Sequence, residues 1–297
     1  MYKKYGVFDY EIFEDCIIIA GCDESAEKIE IPAAIDGLPV EVINENAFAN
    51  HQNLTSAVIP DSVKYIEQFA FSDCINLKSV NISNKLKYIS RGAFCNCQSL
   101  ESITLPESIE VISENAFEEC TKLQSINLPY GLICIKTETF SGCESLKSIK
   151  LPESLIYIDN FAFSNCWELT SIVIPDNVYC ISYGIFMNCE KLESVKISKN
   201  AETISPQAFR SCESLKSVTI PAGVKSIGLC AFWNCTSLTS VTILNPECYI
   251  HDDSATFSDF NNDFNGTIYG YDNSTAQKYA EKYNRKFVSL NRKENLS

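Results

Sequence analysis

The chain has 297 residues, a net charge of −14 and 45% apolar residues. Such an acidic chain does not suit the phosphate backbone of a nucleic acid, so we expect no nucleic-acid partner. No apolar run reaches the roughly 18 residues that a membrane-spanning helix requires, which argues against membrane insertion. The opening stretch also lacks the apolar segment of a signal peptide.

An N-terminal cap is the first predicted element. The stretch "FDYEIFEDCIIIAGC" (Phe8 to Cys22) alternates apolar and polar residues, turns at Glu14-Asp15 and continues as an apolar run. This pattern predicts a β-hairpin. A stack of repeats exposes an apolar face at each end, so we assign the hairpin and an opening unit, residues 1–42, to an N-terminal cap.

A 23-residue repeat follows, over residues 43–244. Its phenylalanines are Phe48, Phe71, Phe94, Phe117, Phe140, Phe163, Phe186, Phe209 and Phe232. Three residues after each comes His51 in the first copy and then Cys74, Cys97, Cys120, Cys143, Cys166, Cys189, Cys212 and Cys235. One unit is too small to enclose its own apolar residues, whereas stacked units bury each column against the next. The constant interval therefore predicts a solenoid of nine 23-residue coils.

The copy "SENAFEECTKLQSINLPYGLICIK" (Ser113 to Lys136) illustrates the predicted coil. "SINLP" alternates like a short strand that ends at a proline, and "GLICI" predicts a second extended stretch. "SENAFEEC" favours one helical turn, with Ser113 as its cap. Each coil is thus predicted to contain two short strands and a one-turn helix.

The remaining residues, 245–297, are predicted to form a C-terminal cap. The segment Asn273 to Lys286 is amphipathic, with Ala276, Tyr279, Ala280 and Tyr283 at helical spacing. We therefore expect one helix to close the solenoid.

The columns "AF..C..L.SV.IP..V..I" resemble the BspA-like leucine-rich repeats from Ile43 to Leu244. The segments Lys28 to Phe48 and Gly266 to Leu290 resemble that family's opening and closing units. The resemblance implies a leucine-rich repeat solenoid and a role in adhesion or protein binding, without catalysis. The family is known mostly from bacterial surface proteins and some parasitic protists. It thus implies a cell-surface or secreted location, while the missing signal peptide leaves a cytoplasmic location open.

Fifteen cysteines raise the question of disulfides or metal sites. Adjacent coils lie ~4.8 Å apart, which suits a disulfide by distance alone. Side chains in one column nevertheless point the same way, and a linear column does not converge on a zinc ion. We predict reduced, buried thiols and no metal or cofactor. Cys16 and Cys22 flank one predicted strand, and their pairing is left open.

Residues for acid–base catalysis are scarce, and we predict that the chain is not an enzyme. His51 fills the cysteine column, which favours a structural role, and His251 lies in a predicted polar loop. The Asp/Asn-rich segment Asp259 to Gly266 lacks the spacing and final glutamate of a calcium loop. No catalytic motif accompanies these residues.

Apolar residues in two outward columns predict an interaction patch. The columns lie 16 and 17 residues after each phenylalanine, and charged residues flank their apolar part: Lys87, Glu110, Glu202 and Lys225. The patch residues are Val111, Ile133, Cys134, Ile156, Tyr157, Tyr179 and Cys180. Apolar surface rimmed by charge is typical of a protein interface. The alternative is burial by curvature or by neighbouring columns.

We predict a non-catalytic scaffold that binds another protein, and the resemblance points to a host or cell-surface partner. The alternative hypothesis is a carbohydrate or cell-wall binding module. Its candidate contacts are aromatic residues predicted to be exposed: Tyr65, Tyr88, Tyr157, Trp167 and Trp233.

Overall fold

The fold is described from a computed structural model, which defines residues 2–291. Two compact units make up the chain, unit 1 (Met1–Ser154) and unit 2 (Leu155–Ser297). Their division falls inside the predicted 43–244 solenoid. In a repeat protein each coil contacts mainly its neighbours, so such a division needs no break in the sequence pattern.

The regular elements that the structure defines in unit 1 are short strands joined by turns. They are β1 (Lys3–Tyr5), β2 (Phe8–Phe13), β3 (Cys16–Cys22), β4 (Lys28–Glu30), β5 (Ala34–Ile35), β6 (Leu38–Ile43), β7 (Ser56–Val58), β8 (Tyr65–Ile66), β9 (Ser79–Asn81), β10 (Tyr88–Ile89), β11 (Ser102–Ile103), β12 (Val111–Ile112), β13 (Ser125–Ile126) and β14 (Cys134–Ile135). Prolines follow some of these strands, such as Pro60 after β7 and Pro106 after β11, where a missing N–H is tolerated.

The predicted N-terminal hairpin is present in unit 1. Strands β2 and β3 pair antiparallel around the turn at Glu14, and β1 adds a third, antiparallel strand beside β2. On its other side β3 pairs parallel with β6, so the hairpin continues directly into the first coil. Met1, the first residue assigned to this cap, lies outside the described residues.

Two parallel ladders hold the coils of unit 1 together. One sheet runs β1-β2-β3-β6-β8-β10-β12, with β5 paired to β6, and the other runs β13-β11-β9-β7-β4. Their registers match residues 23 apart, as in Tyr65 opposite Tyr88 and Ser102 opposite Ser125. This register confirms the predicted solenoid of short strands.

Unit 2 repeats the same architecture and ends in a helix. Its elements are β15 (Tyr157–Ile158), β16 (Ser171–Val173), β17 (Cys180–Ile181), β18 (Ser194–Lys196), β19 (Thr203–Ile204), β20 (Ser217–Ile220), β21 (Ser226–Ile227), β22 (Ser240–Ile243), β23 (Tyr249–Ile250), a 3-10 helix (Ser254–Phe257), β24 (Thr267–Gly270), α1 (Thr275–Lys282) and β25 (Lys286–Ser289). Its longest sheets run β17-β19-β21-β23 and β20-β22-β24-β25.

The predicted C-terminal helix is α1, which is shorter than the amphipathic segment. The Ser274 hydroxyl accepts the Gln277 backbone N–H and caps the helix, and Ala276, Tyr279 and Ala280 are buried. Tyr283 stands just beyond the last turn. The last six residues of the predicted 245–297 cap lie outside the described residues.

A column of stacked phenylalanine rings forms the core of each unit. Ring centroids are 4.9 to 5.7 Å apart from Phe48 to Phe140 in unit 1. In unit 2 they are 5.1 to 5.6 Å apart from Phe163 to Phe257. Phe257 follows Phe232 by 25 residues, so the core continues past the ninth predicted copy despite the altered interval.

The predicted one-turn helix is wrong in detail. The segment around each phenylalanine is a run of turns, because the residues two before and two after the ring have positive φ. In one copy these residues are Asn115 (φ 57°) and Glu119 (φ 57°), on either side of Phe117. Left-handed residues four apart interrupt an α-helix. They also turn the Phe117 N–H toward the next coil, where it donates to the Thr139 carbonyl at 3.0 Å.

Phe94→Ala should reduce the free energy of unfolding by about 3–5 kcal/mol, because it opens a cavity between the rings of Phe71 and Phe117. Tyr130→Ala is the control, since Tyr130 is 73% exposed. Urea unfolding of both variants measures the difference. Equal losses would contradict the role of the ring column as the core.

Candidate functional site

Unit 1 contains three of the predicted patch residues. Ile133 is 54% exposed, whereas Val111 and Cys134 are half-buried at the first positions of β12 and β14. The buried neighbours in those strands are Ile112 and Ile135. The side chains therefore alternate as predicted, and Ile133 is the most accessible apolar group of this set.

Ion pairs occupy the equivalent positions in the preceding coils of unit 1. Lys64 Nζ lies 2.6 Å from Glu41 Oε1, and Lys87 Nζ lies 2.9 Å from Glu110 Oε1. The Tyr88 hydroxyl also donates to Glu110, at 2.9 Å. Hydrogen bonds from Lys87 and Tyr88 lower the pKa of the Glu110 carboxyl. This part of the face is thus charged but internally neutralised.

Unit 2 contains the other four patch residues. Ile156, Tyr157 and Tyr179 are 53%, 44% and 54% exposed, and Cys180 is half-buried. Strands β15 and β17, which carry Tyr157 and Cys180, have Cα atoms within 8 Å of each other. The four residues therefore form one apolar surface within this unit.

An ion pair flanks the apolar surface of unit 2. Lys225 Nζ lies 2.7 Å from Glu202 Oε2, and both side chains are largely exposed. The Glu202 backbone N–H donates to the Tyr179 carbonyl at 2.8 Å, so the ion pair begins in the coil after Tyr179. The predicted charged residues are therefore present in the coils that follow Tyr179.

Neighbouring side chains cover part of several aromatic rings of the carbohydrate hypothesis. Tyr65 and Tyr88 stack on each other, with centroids 5.4 Å apart. In unit 2 the Arg210 guanidinium lies 4.6 Å from the centroid of the Trp233 ring, and Phe260 packs edge-on against that ring. Tyr157 and Trp167 remain exposed, at 44% and 41%.

The cysteine column forms a ladder of hydrogen bonds. In unit 1, Cys74, Cys97, Cys120 and Cys143 each donate to the carbonyl of the phenylalanine 26 residues earlier, as Cys97 does to Phe71 at 3.1 Å. Cys212 does the same to Phe186 at 3.2 Å in unit 2. All fifteen cysteines are free, and the eight ladder cysteines are buried. The prediction of unbridged, buried thiols is confirmed, and the thiols are donors as well as apolar groups.

Burial keeps the Cys74 and Cys97 thiols protonated by raising the pKa of each. It raises the pKa of Cys74 to about 12 and that of Cys97 well above its ordinary value. A thiol is a weak nucleophile and metal ligand until it ionises, so the ladder is chemically inert at neutral pH. Its role is to connect adjacent coils.

The structure also decides the pairing of Cys16 and Cys22. They occupy the two ends of the seven-residue strand β3. A strand rises ~3.3 Å per residue, which places their Cα atoms ~20 Å apart. This distance is far too long for a disulfide within one chain.

Comparison with known proteins agrees with this repeat architecture. The family model for the BspA type leucine rich repeat region matches residues 41–166 and 134–262, with 6 copies. The chain belongs to the BspA-type leucine-rich repeat family. No curated protein matches it.

Solved structures of leucine-rich repeat proteins are similar to this BspA-type chain. A T. pallidum leucine-rich repeat protein is 27% identical, with a TM-score of 0.50, over 80% of this chain and 91% of that one. A Bacteroides ovatus leucine-rich repeat protein is 22% identical, with a TM-score of 0.43, over 97% and 99%. The pneumococcal vaccine antigen PcpA is 15% identical, with a TM-score of 0.48, over 97% and 98%.

His51 has a structural position in this BspA-type protein, as predicted. It is buried at the start of the cysteine column, and its Nε2 lies 3.1 Å from the Asp23 carbonyl. A carbonyl only accepts hydrogen bonds, so Nε2 carries the proton. The histidine thus makes the same kind of backbone contact as the cysteines below it.

The Asp/Asn-rich segment 259–266 is a polar turn. Asp259 Oδ1 accepts the backbone N–H groups of Asn261 and Asp263, at 2.8 and 2.9 Å. Within residues 2–291, no group of three or more His, Cys, Asp or Glu residues is placed to hold a metal ion. No helix in the same range is long and apolar enough to cross a membrane.

Sequence reasoning overlooked three exposed aromatic residues. Tyr130, Phe260 and Tyr249 are 73%, 70% and 55% exposed. Phe260 lies in the turn after the 3-10 helix, outside any repeated column, whereas Tyr130 stands at a corner position that is acidic in the neighbouring copies, at Glu107 and Glu153. The position of Tyr249 could have been predicted, because it continues the outward column of Cys180 and Ser226 at the 23-residue interval.

A thiol-reactive reagent should separate the cysteines into two classes. The six half-buried cysteines should react first in the native protein, and the nine buried ones only after unfolding. Counting modified thiols by mass spectrometry before and after urea treatment measures both classes. Rapid native labelling of Cys97 or Cys120 would contradict the buried ladder.

The buried thiols should also make the protein sensitive to alkali. An unfolded thiol titrates near ~8.5, below the folded value, so the folded state retains more protons as the pH rises. The free energy of unfolding should therefore be insensitive to these thiols below about pH 8 and fall steeply above about pH 9. Urea midpoints measured across this range test the effect. Cys97→Ala should make the fall shallower, and an unchanged slope would contradict the assignment.

Proposed function

We propose that this chain is a non-catalytic scaffold that binds another protein through the lateral surface of its coils. The principal contact is the unit 2 surface of Ile156, Tyr157, Tyr179 and Cys180. Ile133, Val111 and Cys134 of unit 1 are proposed as further contacts. The BspA-type family supports an adhesion role with a host or cell-surface protein as the partner.

The exposure of Ile156 and Tyr179 carries this proposal. Each is more than half exposed, although the residues at the same repeat position in later coils, Glu202 and Lys225, are charged and paired. Nothing in the stacking of coils requires an apolar side chain at this outward position. Clustered exposed apolar residues beside charged ones are typical of a protein interface, where tyrosine often contributes much of the binding energy.

The carbohydrate alternative has weaker support. Sugar rings pack on open aromatic faces, but the rings of Tyr65, Tyr88 and Trp233 are partly covered by neighbouring side chains. Tyr157 and Trp167 are the more accessible members of that set. Of these, Tyr157 also belongs to the proposed protein contact.

The double variant Ile156→Glu with Tyr179→Glu should fold normally and lose most of its binding to cells. Two carboxylates would have to be desolvated at the interface, which costs several kcal/mol and corresponds to at least ~100-fold weaker binding. Fluorescently labelled protein and flow cytometry measure the binding. Pretreating the cells with protease should remove it, whereas periodate oxidation of their glycans should leave it intact.

Val173→Glu with Thr219→Glu is the matched control. It adds the same charge at two exposed positions of unit 2, on the strands β16 and β20. Circular dichroism and thermal midpoints verify the fold of both variants. The proposed surface is wrong if both variants bind equally well, and binding abolished by periodate alone would favour the carbohydrate function.

A further inference from the structure

A cavity of about 300 Å³ lies between strand β23 and helix α1 in unit 2. We call it the cap cavity. Its lining includes Tyr249, Asp252, Thr275, Lys278, Tyr279 and Lys282. The volume is at the lower end of the range for small-molecule sites, which is suitable for a single sugar-sized ring.

Hydrogen bonds hold the walls of the cap cavity in place. The Tyr279 hydroxyl donates to the Asp253 carbonyl at 2.8 Å, and the ring of Tyr279 is buried. The Thr275 hydroxyl donates to the Cys248 carbonyl at 2.6 Å, which ties the first turn of α1 to the last coil. The cavity is thus a feature of the packed cap and needs no rearrangement to form.

Among the charged side chains that line the cap cavity, Lys278 has no charged partner within the described residues. Lys282 Nζ and the Tyr283 hydroxyl donate to Asp252, at 2.6 and 2.8 Å, and these bonds lower the pKa of the carboxyl. Lys278 lies one helical turn before Lys282. Within residues 2–291 its ammonium forms no ion pair or side-chain hydrogen bond. The lining is therefore positive in a chain whose net charge is −14.

An exposed aromatic ring stands at the same cavity. Tyr249 is 55% exposed and is the first residue of β23, whose backbone pairs with Ser226 of β21. Its position is fixed by this ladder, while its ring remains accessible. A tyrosine ring offers a flat apolar face and a polar edge, which suits a ligand with both kinds of surface.

We infer that the cap cavity binds a carboxylate-bearing sugar. The C–H face of the sugar ring would pack on Tyr249, and the carboxylate would pair with the Lys278 ammonium. Neutral sugars would lack the ion pair and should bind more weakly. This site is independent of the lateral surface proposed above, because Ile156 and Tyr179 do not line the cavity.

Sodium D-glucuronate is the probe, and D-glucose is its neutral counterpart. Saturation-transfer NMR on the full chain should give a dissociation constant on the order of 1 mM for glucuronate, as expected for one sugar ring. Glucose should bind at least about tenfold more weakly, since it lacks the charge. Lys278→Gln should abolish this preference, and Tyr249→Ala should weaken binding of both sugars.

Lys286→Gln provides the matched control. It removes one positive charge from the exposed first position of β25, outside the cavity. It should bind glucuronate like the unchanged protein, and thermal midpoints verify that all variants are folded. The inference is overturned if glucuronate and glucose bind equally, if neither binds, or if Lys286→Gln weakens binding as much as Lys278→Gln.

Discussion

The stacking of one phenylalanine ring on the next sets the geometry of each unit. Adjacent strands of a sheet lie ~4.8 Å apart, and rings in successive coils can stay in contact only at a similar spacing. The observed centroid distances of 4.9 to 5.7 Å agree with this limit. A coil with an extra residue would move its ring out of the column unless a turn absorbed the change. The 23-residue interval and the matching registers follow from this constraint.

The ladder cysteines supply a second hydrogen bond to the phenylalanine backbone carbonyls beside that column. The Phe71 carbonyl accepts the Cys74 N–H within its own coil at 3.4 Å, and its second lone pair can accept another hydrogen bond. The Cys97 thiol of the next coil supplies a second donor at 3.1 Å. A thiol combines this weak donor with an apolar body, so it satisfies the carbonyl at little desolvation cost. Cysteine thus contributes both to the apolar core and to the contacts between coils.

Because the inward columns hold the fold, the outward positions are free to differ from coil to coil. Ion pairs between residues 23 apart, such as Lys216 with Glu193 at 2.7 Å, occupy some of them. Exposed pairs of this kind contribute little to stability, so they are easily exchanged for apolar residues. The unit 2 surface around Tyr179 and the cap cavity at Tyr249 use this freedom in different ways. The first consists of exposed apolar side chains, and the second has an exposed tyrosine ring and a lysine in its lining.

The sequence by itself determined the repeat, its period, the buried columns, the hairpin and the closing helix. These features depend on local periodicity and on contacts between equivalent residues. A fixed interval in the sequence identifies which residues are equivalent. The turn segment was misjudged because its left-handed residues include Glu119 and Phe161, types that seldom adopt positive φ. The asparagines at Asn50, Asn96 and Asn188 could have indicated these left-handed positions, because asparagine adopts positive φ more often than most residues. Only the tertiary structure decided that Cys16 and Cys22 are apart, that Trp233 is covered and that a cavity lies beside α1. Those facts depend on where side chains from different coils and from the cap meet, which no single interval in the sequence specifies.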